Sequence, residues 1–428
     1  MNILLLTIIF ISFAYITWYR FTWGIFLFLL LLPSYLLRFS IGPLPTTILE
    51  GFFVLLVFFW IINQWQKTTI KQTIHFLWNT HHTLIIASIL LFAGASIGTL
   101  ISLDTQAAAG LWKAFFVEPM LFALILIDQF RNKPKKYIQT YIFTPLLLIA
   151  LTTAMLAVYQ HFTGWMVPWD FWENRNTFRI TGWYGFPNGV GLFLPPMIPL
   201  ALYILHDTWK NKQNRSWWMI ILALAYIPFG LLGIIYAKST GGLVGVAGAI
   251  AALLFLYKKT RIPMIILGIG SILAVYSLAP TNPIRQELFF QDRSGQMRLD
   301  MWAETTELII THPITGVGLA SYQTAIYPYR IDKWIEVFHH PHNMFFTMWV
   351  NVGIIGLIGW LWILVWYIHT AWKHKNTLEA QYLFAIIATF TIMGLVDSPY
   401  IKNDMAMLYW IFPAILAILP ATQNSPNE

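Results

Sequence analysis

The sequence predicts an all-α integral membrane protein with about 12–13 transmembrane helices and a long extracytoplasmic loop carrying amphipathic helices. Composition gives the first reason: the 428 residues are 58% hydrophobic and 10% charged, with a mean hydropathy of +0.63. A soluble domain carries about 25% charged residues. The second reason is that apolar runs of roughly 20 residues, the length one span needs, recur along the whole chain. Third, 21 Trp, 19 Tyr and 32 Phe suit aromatic belts at two membrane interfaces.

Taken in order, the runs are 2–19, 22–37, 46–64, 83–102, 107–130, 138–160, 187–207, 217–236, 241–257, 262–279, 343–371, 379–396 and 404–420. The first pair is short enough to reduce the count by one. Run 2–19 lacks a basic flank and a small-residue cleavage site, so it reads as a retained helix and not a cleaved signal. No fixed-period repeat and no soluble segment interrupts the series. Residues 1–428 therefore read as a single polytopic membrane domain.

The connections alternate in charge. Lys67 and Lys71, then Arg131, Lys133, Lys135 and Lys136, then Lys210, Lys212 and Arg215, then Lys258, Lys259 and Arg261, and finally Lys373 and Lys375 mark one side. The positive-inside rule makes that side cytoplasmic. Segments 161–186, 237–240, 280–342 and 397–403 then face outside, and the C-terminus lies inside. Cations retained on the cytoplasmic side also account for the net charge of +8, so the lipid bilayer is the implied partner and nucleic acid is not. The absence of cysteine excludes disulfides, thiolate metal sites and a cysteine nucleophile. Neither ATP nor a nucleotide sugar is available outside, so a reaction there must carry its energy within the substrate.

The extracytoplasmic loop 280–342 holds most of the polar residues. Pro280 and Pro283 argue against a helix at its start. Asp292 or Ser294 can cap a helix that runs to about Thr311 and stops at Pro313. Arg298, Trp302, Glu304 and Glu307 alternate there with Met301, Leu308 and Ile309, an amphipathic pattern suited to the membrane interface. Arg293 and Arg298 either grip an anionic headgroup, since guanidinium matches phosphate oxygens in a fork, or anchor the helix to bulk lipid phosphate. Gly316-Val317-Gly318 is either a turn where the chain doubles back or a backbone brought close to a ligand.

His339, His340, Pro341, His342 and Asn343 follow, at the mouth of run 343–371. Three readings are open. One is a polar cap on the helix starting near Asn343. Another is a metal site, with Asp332 and Glu336 as loosely placed carboxylates. The third is a general base, because histidine has the side-chain pKa nearest neutral pH.

Segment 161–186 carries Asp170, Glu173, Arg175 and Arg179 and leads through Pro187-Asn188 into a helix. Proline suits a first helical turn, and Arg179 would hang over that entrance. Lys238 lies in the short turn before Gly241-Gly242. Lys113 and Glu118 fall within run 107–130, where charges usually face a cavity or one another. Asp397, at the outer end of run 379–396, is a further candidate. Arg179, Lys238, Arg293, Arg298 and Arg330 make a cationic outer face on a protein expected to keep its cations inside, which points to a specific anion, with bulk lipid phosphate as the alternative.

Laid out this way, the chain resembles the O-antigen ligase and O-antigen polymerase superfamily of bacterial membrane glycosyltransferases. The resemblance is strongest over 285–365: Arg293, Arg298 and Trp302, then His312-Pro-Ile-Thr-Gly-Val-Gly318, His342-Asn343 and Gly353-Ile-Ile-Gly356. Arg179, Thr181-Gly182 and Phe186-Pro-Asn188 resemble an earlier motif of the family. The resemblance implies a multi-pass protein of the bacterial cytoplasmic (inner) membrane with its active site facing outside. It implies a glycan donor on polyprenyl (undecaprenyl) diphosphate and transfer, with inversion and without metal or other cofactor, to an acceptor hydroxyl. The acceptor would be a second glycan, lipid A core or protein. Arg179, Arg293 and Arg298, joined by Lys238, would bind the diphosphate, and His342 or His340 would deprotonate the acceptor. His339, Asn343, Asn188, Gly316 and Gly318 would support them. Lysine at 238 departs from the arginine common in that turn and offers no fork. A transporter or flippase for an anionic lipid-linked substrate is the alternative, followed by a non-catalytic partner in envelope assembly. Inverted repeats with broken mid-membrane helices would favour the transporter.

Overall fold

The computed structural model describes residues 3–42, 44–67, 69–174, 178–211, 216–331 and 337–422. Long apolar stretches have no partner for backbone N–H and C=O groups in lipid except their own chain, so they close into helices. In order these are α1 (Ile3–Tyr19), α2 (Phe21–Leu30), α3 (Ile48–Lys67) and α4 (Thr69–Leu100). Then come α5 (Thr105–Phe130), α6 (Lys135–Thr163), α7 (Pro187–Lys210) and α8 (Trp217–Tyr236). The remainder are α9 (Thr240–Leu256), α10 (Lys258–Tyr276), α11 (Pro283–Leu288), α12 (Arg293–Thr311), α13 (Met344–Lys373), α14 (Leu378–Gly394) and α15 (Asn403–Thr422). The protein is an all-α integral membrane protein.

Seven of these helices, α4, α5, α6, α7, α8, α10 and α13, are long and apolar enough to cross a membrane among the described residues. The other six apolar helices are shorter, with apolar stretches of 10–17 residues. The expected runs are thus largely helical, and one of them is cut by a break. Run 22–37 stops near Pro33, giving way to a 3-10 turn over Leu32–Leu36. Beyond it lies a hairpin that the apolar pattern did not announce: β1 (Arg38–Ile41) pairs antiparallel with β2 (Leu44–Thr47), Arg38 opposite Thr47.

Polar residues set several helix starts. Asp104 accepts from the N–H of Ala107 at 3.0 Å to cap α5. Asp292 accepts from Ser294 and Gly295 N–H to open α12, which ends at Thr311 as the sequence predicts. The expectation that prolines 280 and 283 exclude a helix is corrected. Pro283 occupies the first turn of α11, where its missing N–H costs nothing, and Asn282 caps it through Ile284 N–H at 3.0 Å. Pro187 likewise starts α7, after Phe186.

The chain divides into two compact units. The first holds Met1–His82, Glu118–Ser239 and Lys402–Glu428, and the second holds Thr83–Val117 and Thr240–Ile401. In the first unit, α15 packs along the 118–130 part of α5, and α8 packs on α6. There the buried Asp128 carboxylate accepts from Trp60 Nε1 at 2.9 Å and Thr73 Oγ1 at 2.8 Å, the satisfied arrangement a buried charge requires. In the second unit, close packing comes through small residues. Gly245 and Gly248 of α9 bring α14 near at Thr389, Met393 and Ile392, and Gly94 of α4 meets Gly356 of α13. Helix α10 contains no buried residue, as an apolar helix facing lipid would. Lys113, in the second unit, sits in a π-helical turn of α5, and Glu118, in the first, is buried.

Candidate active site

In the second unit, three pieces of chain frame the histidine cluster: α12, the 337–343 segment leading into α13, and the turn after α14. Asn343 begins the frame. Its side-chain oxygen accepts from the N–H groups of Phe345 and Phe346, at 3.0 and 3.2 Å, and so caps α13. Its Nδ2 donates to Leu395 O at 3.0 Å. One residue earlier, His342 has a left-handed backbone, φ +46°, a conformation uncommon for a residue with a Cβ. The carbonyl before it, Pro341 O, accepts from Trp302 Nε1 of α12 at 2.9 Å.

This backbone turns the His342 ring onto Asp397. Nδ1–H donates to Asp397 Oδ1 at 3.0 Å, and the same oxygen accepts from Ser398 N–H at 2.8 Å. Both side chains are largely buried, 13% and 12% exposed, so solvent screens the pair little. Burial alone pushes the Asp397 carboxyl up. The charge and hydrogen bond of His342, with His340 and the Ser398 N–H, outweigh that and hold it well below the usual carboxylate range. A carboxylate on Nδ1 fixes the proton there and leaves the Nε2 lone pair for a substrate. Among the described residues no hydrogen bond engages Nε2. Phe338 packs edge-on against the ring at 5.0 Å.

His340 differs. Its ring meets that of His342 edge-on at 4.8 Å. Its Nδ1 is buried without a hydrogen-bond partner among the described residues. Burial, then the neighbouring His342, push its pKa down to about 3 despite the pull of Asp397. His339 is exposed.

The turn after α14 is gripped at four successive residues. Asn343 holds Leu395, Arg298 Nε donates to Val396 O at 3.0 Å, His342 holds Asp397, and Thr347 Oγ1 meets Ser398 Oγ at 2.7 Å. Arg298 also donates through Nη1 to Ser294 Oγ at 2.8 Å. Part of its guanidinium is therefore committed to structure, which leaves Nη2 available. Arg293, at the first turn of α12, is exposed.

Gly316 and Gly318 bring their segment against α13. Both have positive φ, +63° and +89°. At Gly316 a Cβ would overlap the carbonyls of Trp349 and Val350. Val317 and Gly318 N–H donate to Val350 O at 2.8 and 3.1 Å, and Ile354 N–H donates to Ile314 O at 2.9 Å. These bonds cross a break in α13 at Gly353, φ +64° and ψ −174°, a region essentially restricted to glycine.

Arg179, Asn188 and Lys238 lie in the first unit. Arg179 donates to the carbonyls of Ala237 at 2.8 Å and Lys238 at 3.3 Å and reaches Asn188 Oδ1 at 3.5 Å. Its guanidinium lies 5.2 Å from the ring centre of Trp172. Lys238 itself has φ +50°. Arg179 thus ties the 237–238 turn to the start of α7, and the three residues form one local set. The carboxylates offered for a metal, Asp332 and Glu336, lie outside the described residues, as does Arg175. The carboxylate that the structure places beside the histidines is Asp397. His340, His342 and Asp397 offer ligand atoms within 4.8 Å of one another.

The match to known proteins falls on this region. Residues 224–361 match the family described as O-antigen ligase. The chain is also similar to a Rickettsia conorii protein provisionally named a polysaccharide ligase, 24% identical over 230 residues, covering 51% of this chain and 53% of that one. A Rickettsia felis protein of the same provisional name is 23% identical over 228 residues, 51% of this chain and 54% of the relative. A third, from Rickettsia prowazekii, is 23% identical over 224 residues, 50% and 53%. The chain spans about half the length of the curated relatives it matches. Arg293, Arg298, Trp302, His340, His342 and Asn343 all lie inside the matched stretch, and Asp397 lies beyond it. Residues 224–361 of this all-α membrane protein are accordingly similar to the O-antigen ligase family.

Proposed function

We propose that the protein is a membrane glycosyltransferase. It moves a glycan from a polyprenyl diphosphate donor to an acceptor hydroxyl at the outer face of the bacterial cytoplasmic membrane. The observation that carries this reading is the His342–Asp397 pair at the mouth of α13, with Nδ1 committed to the carboxylate and Nε2 open. The family match over 224–361 supports the class of reaction.

In the proposed step, His342 Nε2 takes the proton of the acceptor hydroxyl as its oxygen attacks the anomeric carbon from the face opposite the diphosphate. The carbon–oxygen bond to the diphosphate breaks, and its electron pair leaves with the phosphate oxygen. Attack from the opposite face inverts the anomeric centre. Asp397 stabilises the imidazolium that forms. Arg293 and the uncommitted Nη2 of Arg298 are the nearby cations suited to the charge on the leaving group. The donor carries its own activation, so the chain's residues supply the base and the charge stabilisation. His340 has no part in this proton transfer.

The test is transfer in proteoliposomes from a polyprenyl diphosphate-linked oligosaccharide to three acceptors: lipid A core, a second lipid-linked glycan and a serine-rich peptide. Transfer to one of them identifies the acceptor class. Donor crossing the bilayer with no transfer to any acceptor would replace this reading with the transporter.

A further inference from the structure

The imidazole that the proposed reaction uses also belongs to a second arrangement. His340, His342 and Asp397 present three ligand atoms within 4.8 Å of one another. Two imidazoles and a carboxylate are a donor set suited to zinc, with a fourth position left for water. His340 supplies an independent sign. Its Nδ1 is buried and makes no hydrogen bond among the described residues, an arrangement that costs stability unless a partner arrives. The two rings meet edge-on at 74°, so they do not stack face to face.

We propose that His340, His342 and Asp397 form a binding site for a divalent transition ion of the zinc type, and that occupancy of this site shuts off glycan transfer. The inhibitory half rests on the proposed role of His342 as base; the binding half does not. The ion takes the place of the proton between His342 Nδ1 and Asp397 Oδ1. Those atoms are now 3.0 Å apart. With bonds of about 2.0–2.2 Å, tetrahedral zinc holds its ligands roughly 3.3–3.5 Å apart, so the pair needs to open only slightly. A neutral imidazole carries a single N–H. Once Nδ1 binds the ion, that proton resides on Nε2, which then donates instead of accepting. The lone pair that would take the acceptor's proton is no longer present. The base is silenced by a change of tautomer, without loss of the side chain or movement of the helix.

The experiment uses full-length protein stripped with chelator and reconstituted, with Co2+ as the spectroscopic probe. A tetrahedral cobalt absorption band that saturates at one equivalent and disappears on addition of Zn2+ is expected. In His340→Gln the Co2+ affinity should fall by at least the ~10–100-fold that loss of a supporting partner costs a metal site, and His340→Cys, which returns a zinc ligand, should recover it. Transfer is assayed on the same samples. Wild type should lose transfer in proportion to Zn2+ occupancy, while His340→Gln should keep transferring at the Zn2+ concentration that silences wild type. Absence of a cobalt band, or equal Co2+ affinity in wild type and His340→Gln, overturns the site whatever transfer does. A saturated site with undiminished transfer overturns the inhibition and, with it, the assignment of His342 as base.

Discussion

Arg298 Nε donates to the carbonyl of Val396 at 3.0 Å, one residue before the carboxylate that orients His342. The arginine therefore holds the turn presenting Asp397, in addition to its proposed charge contact with a donor. A hydrogen bond to a charged group is worth about 1.5–3 kcal/mol. Arg298→Lys, which lacks Nε, should lower transfer at saturating donor by roughly tenfold or more. Arg293→Ala, with no such bond, should raise the donor KM and leave kcat nearly unchanged. Steady-state kinetics on the two variants separate the roles. Equal effects on KM alone would remove the positioning role of Arg298.

Asp397 is expected to act through His342 and not on the substrate. Asp397→Asn keeps a similar shape but lets the side-chain amide donate to Nδ1, which moves the imidazole proton to Nε2. Transfer should fall by a large part of the 10²–10⁴-fold that general base catalysis contributes, with little change in donor KM. Initial rates with protein insertion monitored in parallel check this.

The break in α13 lets the 314–318 segment pack against the helix that follows the histidine cluster. Gly353→Ala would place a Cβ against Ile314 and Thr315 in a backbone region that costs about 1–3 kcal/mol for other residues. A lowered unfolding temperature in detergent is the expected outcome, together with lost transfer. An unchanged melting temperature would show that the helix does not need the break.

His340 gives the stability a pH dependence. Its pKa falls from an unfolded value near 6.5 to about 3 in the fold. Between those values the unfolded chain holds a proton that the folded chain lacks, so stability declines as pH drops through that window. Unfolding temperatures measured in chelator should fall from pH 6.5 downward, and less steeply in His340→Gln. The low pKa of Asp397 acts in the same direction but lower, below the ordinary carboxylate value of about 3.9.

The helices were legible in the sequence because each apolar run has one way to satisfy its backbone in lipid. Asp292 and Pro187 were legible as local signals, a cap and a first-turn proline. The break at Gly353 was hidden, because glycine in an apolar run reads equally as a packing residue. The pairing of His342 with Asp397 was hidden for a different reason. The two stand 55 positions apart, and no periodicity joins them. Asp397 stood out only as a charge at the outer end of a span. Trp302 was visible as part of a motif, but its bond to Pro341 O depends on how α12 lies over the 337–343 segment, which nothing local specifies. Arg298 was legible as a guanidinium suited to phosphate, and the carbonyl it holds has no sequence signature.

The most direct measurement is glycan transfer by His342→Ala beside wild type, in proteoliposomes supplied with polyprenyl diphosphate-linked oligosaccharide and the acceptor that wild type uses. The account predicts loss of transfer by roughly 10²–10⁴-fold, with donor binding and membrane insertion retained. Transfer by His342→Ala at the wild-type rate would contradict it.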